Sequence, residues 1–115
     1  MATTEETAVS WGEMIPVRLS DWREDEGIVT LLVPRFGRGR FGAWIDRSFH
    51  LRPYRVKLDA VGSFIWKKCD GECHVVEIGA ALEREFGDRV QPMQDRLVLF
   101  LRKLTRGRFL RVGNG

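Results

Sequence analysis

The chain has 115 residues, 43% of them hydrophobic and 30% charged, with a formal net charge of +3. That is one globular domain with a modest core; a disordered chain would be poorer in apolar residues. The charge is mixed along the chain, which permits an acidic partner without demanding nucleic acid; no apolar run is long enough for a membrane span, and the polar segment 1–10, with Glu5 and Glu6, has no apolar signal region, so a cytoplasmic protein is expected.

In chain order, residues 1–12 read as a flexible N-terminal arm, and residues 13–115 as a single domain. From Met14 to Leu19, Ile15, Val17 and Leu19 alternate as in a half-buried strand. Asp21 to Gly27 reads as a charged turn. Ile28 to Val33 is a continuous apolar, β-branched run closed by Pro34, as in a strand covered on both faces, and pairs with the first strand in a hairpin. Residues 34–49 form a long inter-strand connection rich in glycine, arginine and aromatics. Strand character resumes from Phe49 to Leu58, where Tyr54, Val56 and Leu58 share one parity and Pro53 marks an edge or a bulge.

After Leu58 the period lengthens to that of a helix. Asp59 is a good N-cap, and Val61, Phe64, Ile65 and Lys68 form a stripe that ends at the Asp70-Gly71 turn. A second helix spans Val75 to Phe86, with Val75, Ile78, Leu82 and Phe86 on its buried face, His74 in the cap position and Gly87 as its stop. A third follows Pro92, with Met93, Leu97, Phe100, Leu101 and Leu104 on one stripe and Gly107 beyond its end. Phe109 to Val112 adds a short final strand. The expected fold class is α+β, a three-stranded antiparallel sheet followed by three helices, similar to a winged helix-turn-helix.

Candidate chemistry is sparse. Cys69 and Cys73 flank Asp-Gly-Glu and precede His74, but C-x3-C without a second pair is neither a zinc site nor a thioredoxin-like motif. A turn with Cys69 packed as a small apolar residue accounts for it, with thiol sensing as a weaker reading. His50 and His74 lie far apart in sequence, and no glycine-rich loop precedes a helix in the phosphate-binding pattern. The sequence therefore points to neither an enzyme, a cofactor nor a metal site. The arginines of 34–47 and the basic residues Arg96, Arg102, Lys103 and Arg106 leave DNA or RNA binding as the alternative function.

An ordered set of residues carries a resemblance. Val56-Lys57-Leu58-Asp59, Gly62, Ile65-Trp66, Cys69-Asp70-Gly71, Val75, Glu77-Ile78, Leu82, Phe86-Gly87, Phe100-Leu101, Leu104, Gly107 and Phe109-Leu110 resemble the PqqD family over roughly residues 50–112. The resemblance implies a peptide chaperone, or RiPP recognition element. Such a domain binds the leader of a ribosomally made precursor peptide and presents it to a modifying enzyme, often a radical SAM protein. The leader adds as a strand beside the third β-strand and against the third helix. Carried over by position, the edge is Arg52, Tyr54, Val56 and Leu58, and the helix wall is Arg96, Leu97, Phe100 and Lys103. The chain departs from the family in the length of its 34–49 connection and in Pro53 within the docking strand. The long connection also leaves monomer or strand-exchanged dimer open.

Overall fold

The computed structural model describes residues 12–33, 39–50 and 54–114. Within them lie strands β1 (Met14–Arg18), β2 (Asp21–Asp25) and β3 (Ile28–Val33), helix α1 (Arg40–Ser48) and strand β4 (Tyr54–Lys57). Helices α2 (Ala60–Lys68) and α3 (Val75–Phe86), a 3-10 turn (Gly87–Val90), helix α4 (Met93–Arg106) and strand β5 (Leu110–Asn114) complete the order. β2, β3 and β4 form an antiparallel sheet in that order, and β1 pairs with β5 in a separate ribbon. The α+β expectation of a three-stranded antiparallel sheet with three helices packed on it is met. The expected arm falls almost wholly outside the described residues, as does Pro53.

The hairpin differs from the sequence expectation. β3 pairs with β2, from Asp21 opposite Leu32 to Asp25 opposite Ile28, and not with Met14–Arg18. The two-residue loop Glu26-Gly27 has positive φ at both positions, 52° and 82°, as a type I′ hairpin turn requires. The segment that reads as a charged turn is thus a strand. Its charges hide it, because all its side chains but the half-buried Trp22 are exposed. β1 instead pairs with the chain's far end, Met14 with Asn114 through Arg18 with Leu110. On its other side β1 meets the turn after α2: Gly71 N–H donates to Pro16 O and Arg18 N–H to Cys69 O, each at 3.1 Å.

The 34–49 connection also departs from expectation. It contains the nine-residue helix α1, with Gly39 at its N-cap and Phe49 at its C-cap. Phe49 therefore ends a helix and does not open a strand, and β4 is confined to Tyr54–Lys57. β3 is sealed on one face only. Val29 and Leu31 are fully buried, while Ile28, Thr30, Leu32 and Val33 are half-buried.

The core lies between the sheet and the helices. It joins Val29 and Leu31 to Ile65, Trp66, Cys69, Val75, Ile78, Leu82, Val90, Leu97, Leu101, Leu104 and Leu110. The α2 stripe is rotated from the sequence reading: Gly62, Ser63, Ile65 and Trp66 are buried, whereas Val61, Phe64 and Lys68 are only half-buried. Trp66 lies edge-on to Trp22 with centroids 6.4 Å apart. Asp59 caps α2 as expected, its Oδ1 accepting from Gly62 N–H at 2.7 Å. Glu77 accepts the backbone N–H of His74 at 2.9 Å, which closes the start of α3. α4 ends in a Schellman motif, with Phe109 N–H donating to Leu104 O and Arg108 N–H to Thr105 O. The left-handed residue there is Arg108, φ 64°, and not Gly107. Gly107 is needed for space: a Cβ would lie 2.8 Å from the Phe109 ring.

One buried hydrogen bond joins sheet to helix. Val29 N–H donates to Ser63 Oγ at 2.8 Å, and Ser63 is fully buried. Ser63→Ala strands that N–H without water, so a loss of about 1–3 kcal/mol is expected from urea unfolding.

Candidate functional site

Among the described residues β4 is the last strand of its sheet, so one of its backbone edges faces away from β3. The ladder identifies which groups lie there. Tyr54 is opposite Val33, Arg55 opposite Leu32, Val56 opposite Leu31 and Lys57 opposite Thr30. Leu58 N–H donates to Val29 O at 2.9 Å. In an antiparallel ladder, hydrogen-bonded positions alternate. Leu58, Val56 and Tyr54 therefore point their N–H and C=O groups at β3, and Arg55 and Lys57 point theirs outward.

Side chains follow the same alternation. Tyr54 and Val56 share the sheet face of Leu31 and Val33, which is the face that covers the core. At the edge this face opens: Tyr54 is 54% exposed and Val56 38%. Leu58 is half-buried and turns into the core beside α2.

α4 approaches this corner through Phe100. Phe100 Cε2 and Leu58 Cβ lie 3.0 and 3.5 Å from where a Cβ on Gly62 would be. The absence of a side chain at Gly62 is what lets the Phe100 ring reach the end of β4. Arg96, Phe100 and Lys103 stand at i, i+4 and i+7, on one helical stripe. Arg96 and Lys103 are exposed and Phe100 is half-buried. Leu58 and Phe100 thus both border Gly62, and Arg96 and Lys103 on the same helix as Phe100 are exposed. Leu97 is different: it is buried in the core and supports the wall from behind. Arg52 lies outside the described residues. The sequence reading missed Leu99, exposed one turn from Arg96 and Lys103. Its signal was an apolar residue on an otherwise polar face.

The two outer edges of the sheet differ in charge. β2 carries Asp21, Glu24 and Asp25 against a single Arg23, and Glu24 is paired with Lys67 of α2 at 2.8 Å. β4 carries Arg55 and Lys57 and no acid.

The cysteine segment is structural. Cys69 is fully buried, and its thiol donates to Ile65 O at 3.2 Å. Burial pushes the Cys69 thiol up to about 12. Cys73, half-buried, is also raised, first by desolvation and then by the Asp70 carboxylate. Asp70 Oδ1 accepts the N–H groups of Glu72 and Cys73 at 2.9 and 3.1 Å, which closes the turn and holds its carboxyl below the usual range. Glu77 is lowered in the same way by the His74 backbone N–H. Among the described residues, no three His, Cys, Asp or Glu side chains gather as a metal cluster, and no helix is long and apolar enough to cross a membrane.

Fold and site together define a class: a small α+β domain whose open, basic strand edge lies beside an amphipathic helix. The model of the family described as coenzyme PQQ synthesis protein D (PqqD) matches residues 50–110, more than half of the chain, and the chain belongs to that family. It is a peptide-binding accessory protein of the kind that serves PQQ biosynthesis, and the family is one of non-catalytic chaperones. No curated protein and no solved structure matches the chain significantly.

Reactivity should separate the two thiols. Iodoacetamide at mildly alkaline pH is expected to modify Cys73 slowly and to reach Cys69 only after urea unfolding, as read by peptide mass mapping. Equal labelling of both in the native protein would contradict the burial of Cys69.

Proposed function

We propose that this protein is a non-catalytic adaptor that receives a ribosomally made precursor peptide as an added strand on β4 and presents it to a modifying enzyme such as a radical SAM protein. The observation that carries this reading is the outward-facing backbone of Arg55 and Lys57, flanked by exposed Tyr54 and Val56 and, across Leu58, by Phe100. A guest strand would satisfy those N–H and C=O groups by β-augmentation. Its alternate side chains would rest on Tyr54 and Val56 and against the α4 wall, with Arg96 and Lys103 at the rim.

Magnitudes indicate what the backbone supplies. Two outward residues offer up to about four hydrogen bonds at a net ~0.5–1.5 kcal/mol each. A micromolar complex needs about 8 kcal/mol. Side-chain contacts must therefore carry a large share of the affinity. Charge selects the edge: an acidic leader is drawn to Arg55 and Lys57 and repelled by the carboxylates of β2.

Nucleic-acid binding has the exposed Arg96, Arg102, Lys103 and Arg106 of α4 in its favour. The exposed carboxylates Glu77, Glu83 and Glu85 of α3 oppose it.

Arg55→Pro tests the adaptor reading. Proline there deletes an outward N–H and leaves the β3 ladder whole. Val56→Pro would instead break a ladder bond and destabilise the sheet. The expected result for Arg55→Pro is a melting curve close to that of the parent and at least tenfold weaker binding of precursor peptides encoded beside the gene, measured by calorimetry. Undiminished affinity would remove the strand-addition model. Binding of a DNA duplex that falls steeply with salt, without peptide binding, would favour the alternative.

A further inference from the structure

Residues 34–57 contain seven arginines and lysines and a single acid, Asp46. The whole chain is only +3, so the rest of it is net acidic. The excess positive charge is therefore concentrated within residues 34–57, which corrects the evenly mixed charge read from the sequence above.

α1 adds apolar surface to that charge. Arg40, Trp44 and Arg47 stand at i, i+4 and i+7, and all three are exposed. Trp44 is 53% exposed, and Phe49, at the helix end, 67%. Arginines alone would make an ordinary solvated face. A tryptophan between two of them, followed by an open phenylalanine, has the composition of a binding surface centre. Gly42 of the same helix is buried, so α1 has an inner side as well as this exposed one.

It is close to β4 along the chain. Only five residue steps separate Phe49 from Tyr54, a span of at most ~18 Å. An extended peptide of about six residues is long enough to span such a distance.

We infer that α1 is a second docking surface for the guest peptide, taking an acidic segment with an aromatic or large aliphatic residue that runs past Tyr54. The inference rests on the strand-addition reading. Trp44 and Phe49 supply apolar contact that the short β4 edge lacks, and Arg40 and Arg47 supply steering and rim contacts for carboxylates. Arginine and tryptophan also suit single-stranded RNA. The peptide is favoured because β4, a few residues further along the chain, has outward hydrogen-bonding groups for another backbone.

The test uses the intact chain and a random linear peptide library displayed on phage. Enriched peptides are synthesised and titrated against the parent and three variants: Trp44→Ala/Phe49→Ala, Arg40→Gln/Arg47→Gln, and Arg55→Pro, each first checked for an unchanged melt. The enriched sequences are expected to place Glu or Asp beside an aromatic or large aliphatic residue. The Trp44→Ala/Phe49→Ala variant should bind about tenfold more weakly. The Arg40→Gln/Arg47→Gln variant should lose a few-fold at low salt, with a flatter salt dependence. Peptides that lose affinity with Arg55→Pro but not with either α1 variant would overturn the role of α1 and leave strand addition standing. Peptides sensitive to α1 but indifferent to Arg55→Pro would overturn the strand reading, and with it the joint surface. A library that yields no binder, or an oligouridylate that displaces every peptide, would overturn both.

Discussion

The two backbone groups of Val29 hold the functional corner together. Its N–H is taken by Ser63 Oγ of α2 at 2.8 Å, and its C=O takes Leu58 N–H at 2.9 Å. One residue of β3 thus binds both the end of β4 and the helix that follows it. Asp59 then caps α2 within the same few residues. The strand, the cap and the helix start therefore form one rigid joint, buried on the core side. The far end of α2 is fixed separately. The Arg18 guanidinium donates to Trp66 O and Lys67 O at 3.2 and 3.0 Å and lies over the Trp22 ring at 5.3 Å. A cation at a helix C-terminus is the favourable placement for the helix dipole. With α2 pinned at both ends, Gly62 holds a fixed position, and so does the Phe100 ring against it.

An open strand edge is a hazard as well as a site. This chain limits the hazard by length and charge. β4 has four residues, two of them basic, and β2 at the other edge is largely acidic. Like edges of two copies carry like charge, and the two outer edges differ in sign. Under the proposed strand addition, the features that keep the sheet from pairing with its own kind are also those that choose a guest. They cost little stability, because the charged side chains of Arg55 and Lys57 lie on the face away from the core.

The parts legible in the sequence were those whose signals are local. Asp59, His74-Glu77 and the glycine beyond each later helix mark ends by hydrogen bonding within a few residues, and the helices fell where those signals put them. β2 was not legible, because an exposed hairpin strand needs no apolar alternation and its Glu26-Gly27 loop resembles any charged turn. α1 was masked by glycines that read as a loop. The β1–β5 pairing joins the two ends of the domain, and no local pattern encodes it. In the site, the parity of Tyr54 and Val56 was readable from the strand period. The outward direction of the Arg55 and Lys57 backbone was not, since it depends on where β3 lies. Leu97 could not be told from Phe100 by periodicity, because a helical stripe does not say where the core ends and the groove begins.

The extent of the family match fits this division of labour. It begins at residue 50, so β4, α2, α3, α4 and the start of β5 lie within it, whereas β2, β3 and α1 precede it. Yet β4 cannot exist as a strand without β3. The requirement β3 meets is mostly a backbone one: carbonyls and N–H groups in register, with Val29 and Leu31 as the only fully buried side chains on that strand. Many apolar sequences satisfy it. The matched region instead carries side chains with particular jobs: Asp59 as cap, Ser63 as the joint to Val29, Gly62 as the space for Phe100, and Trp66 as the core centre. A resemblance read from side chains therefore starts where side chains become specific. The strand that supports the edge falls before that point, although the edge depends on it.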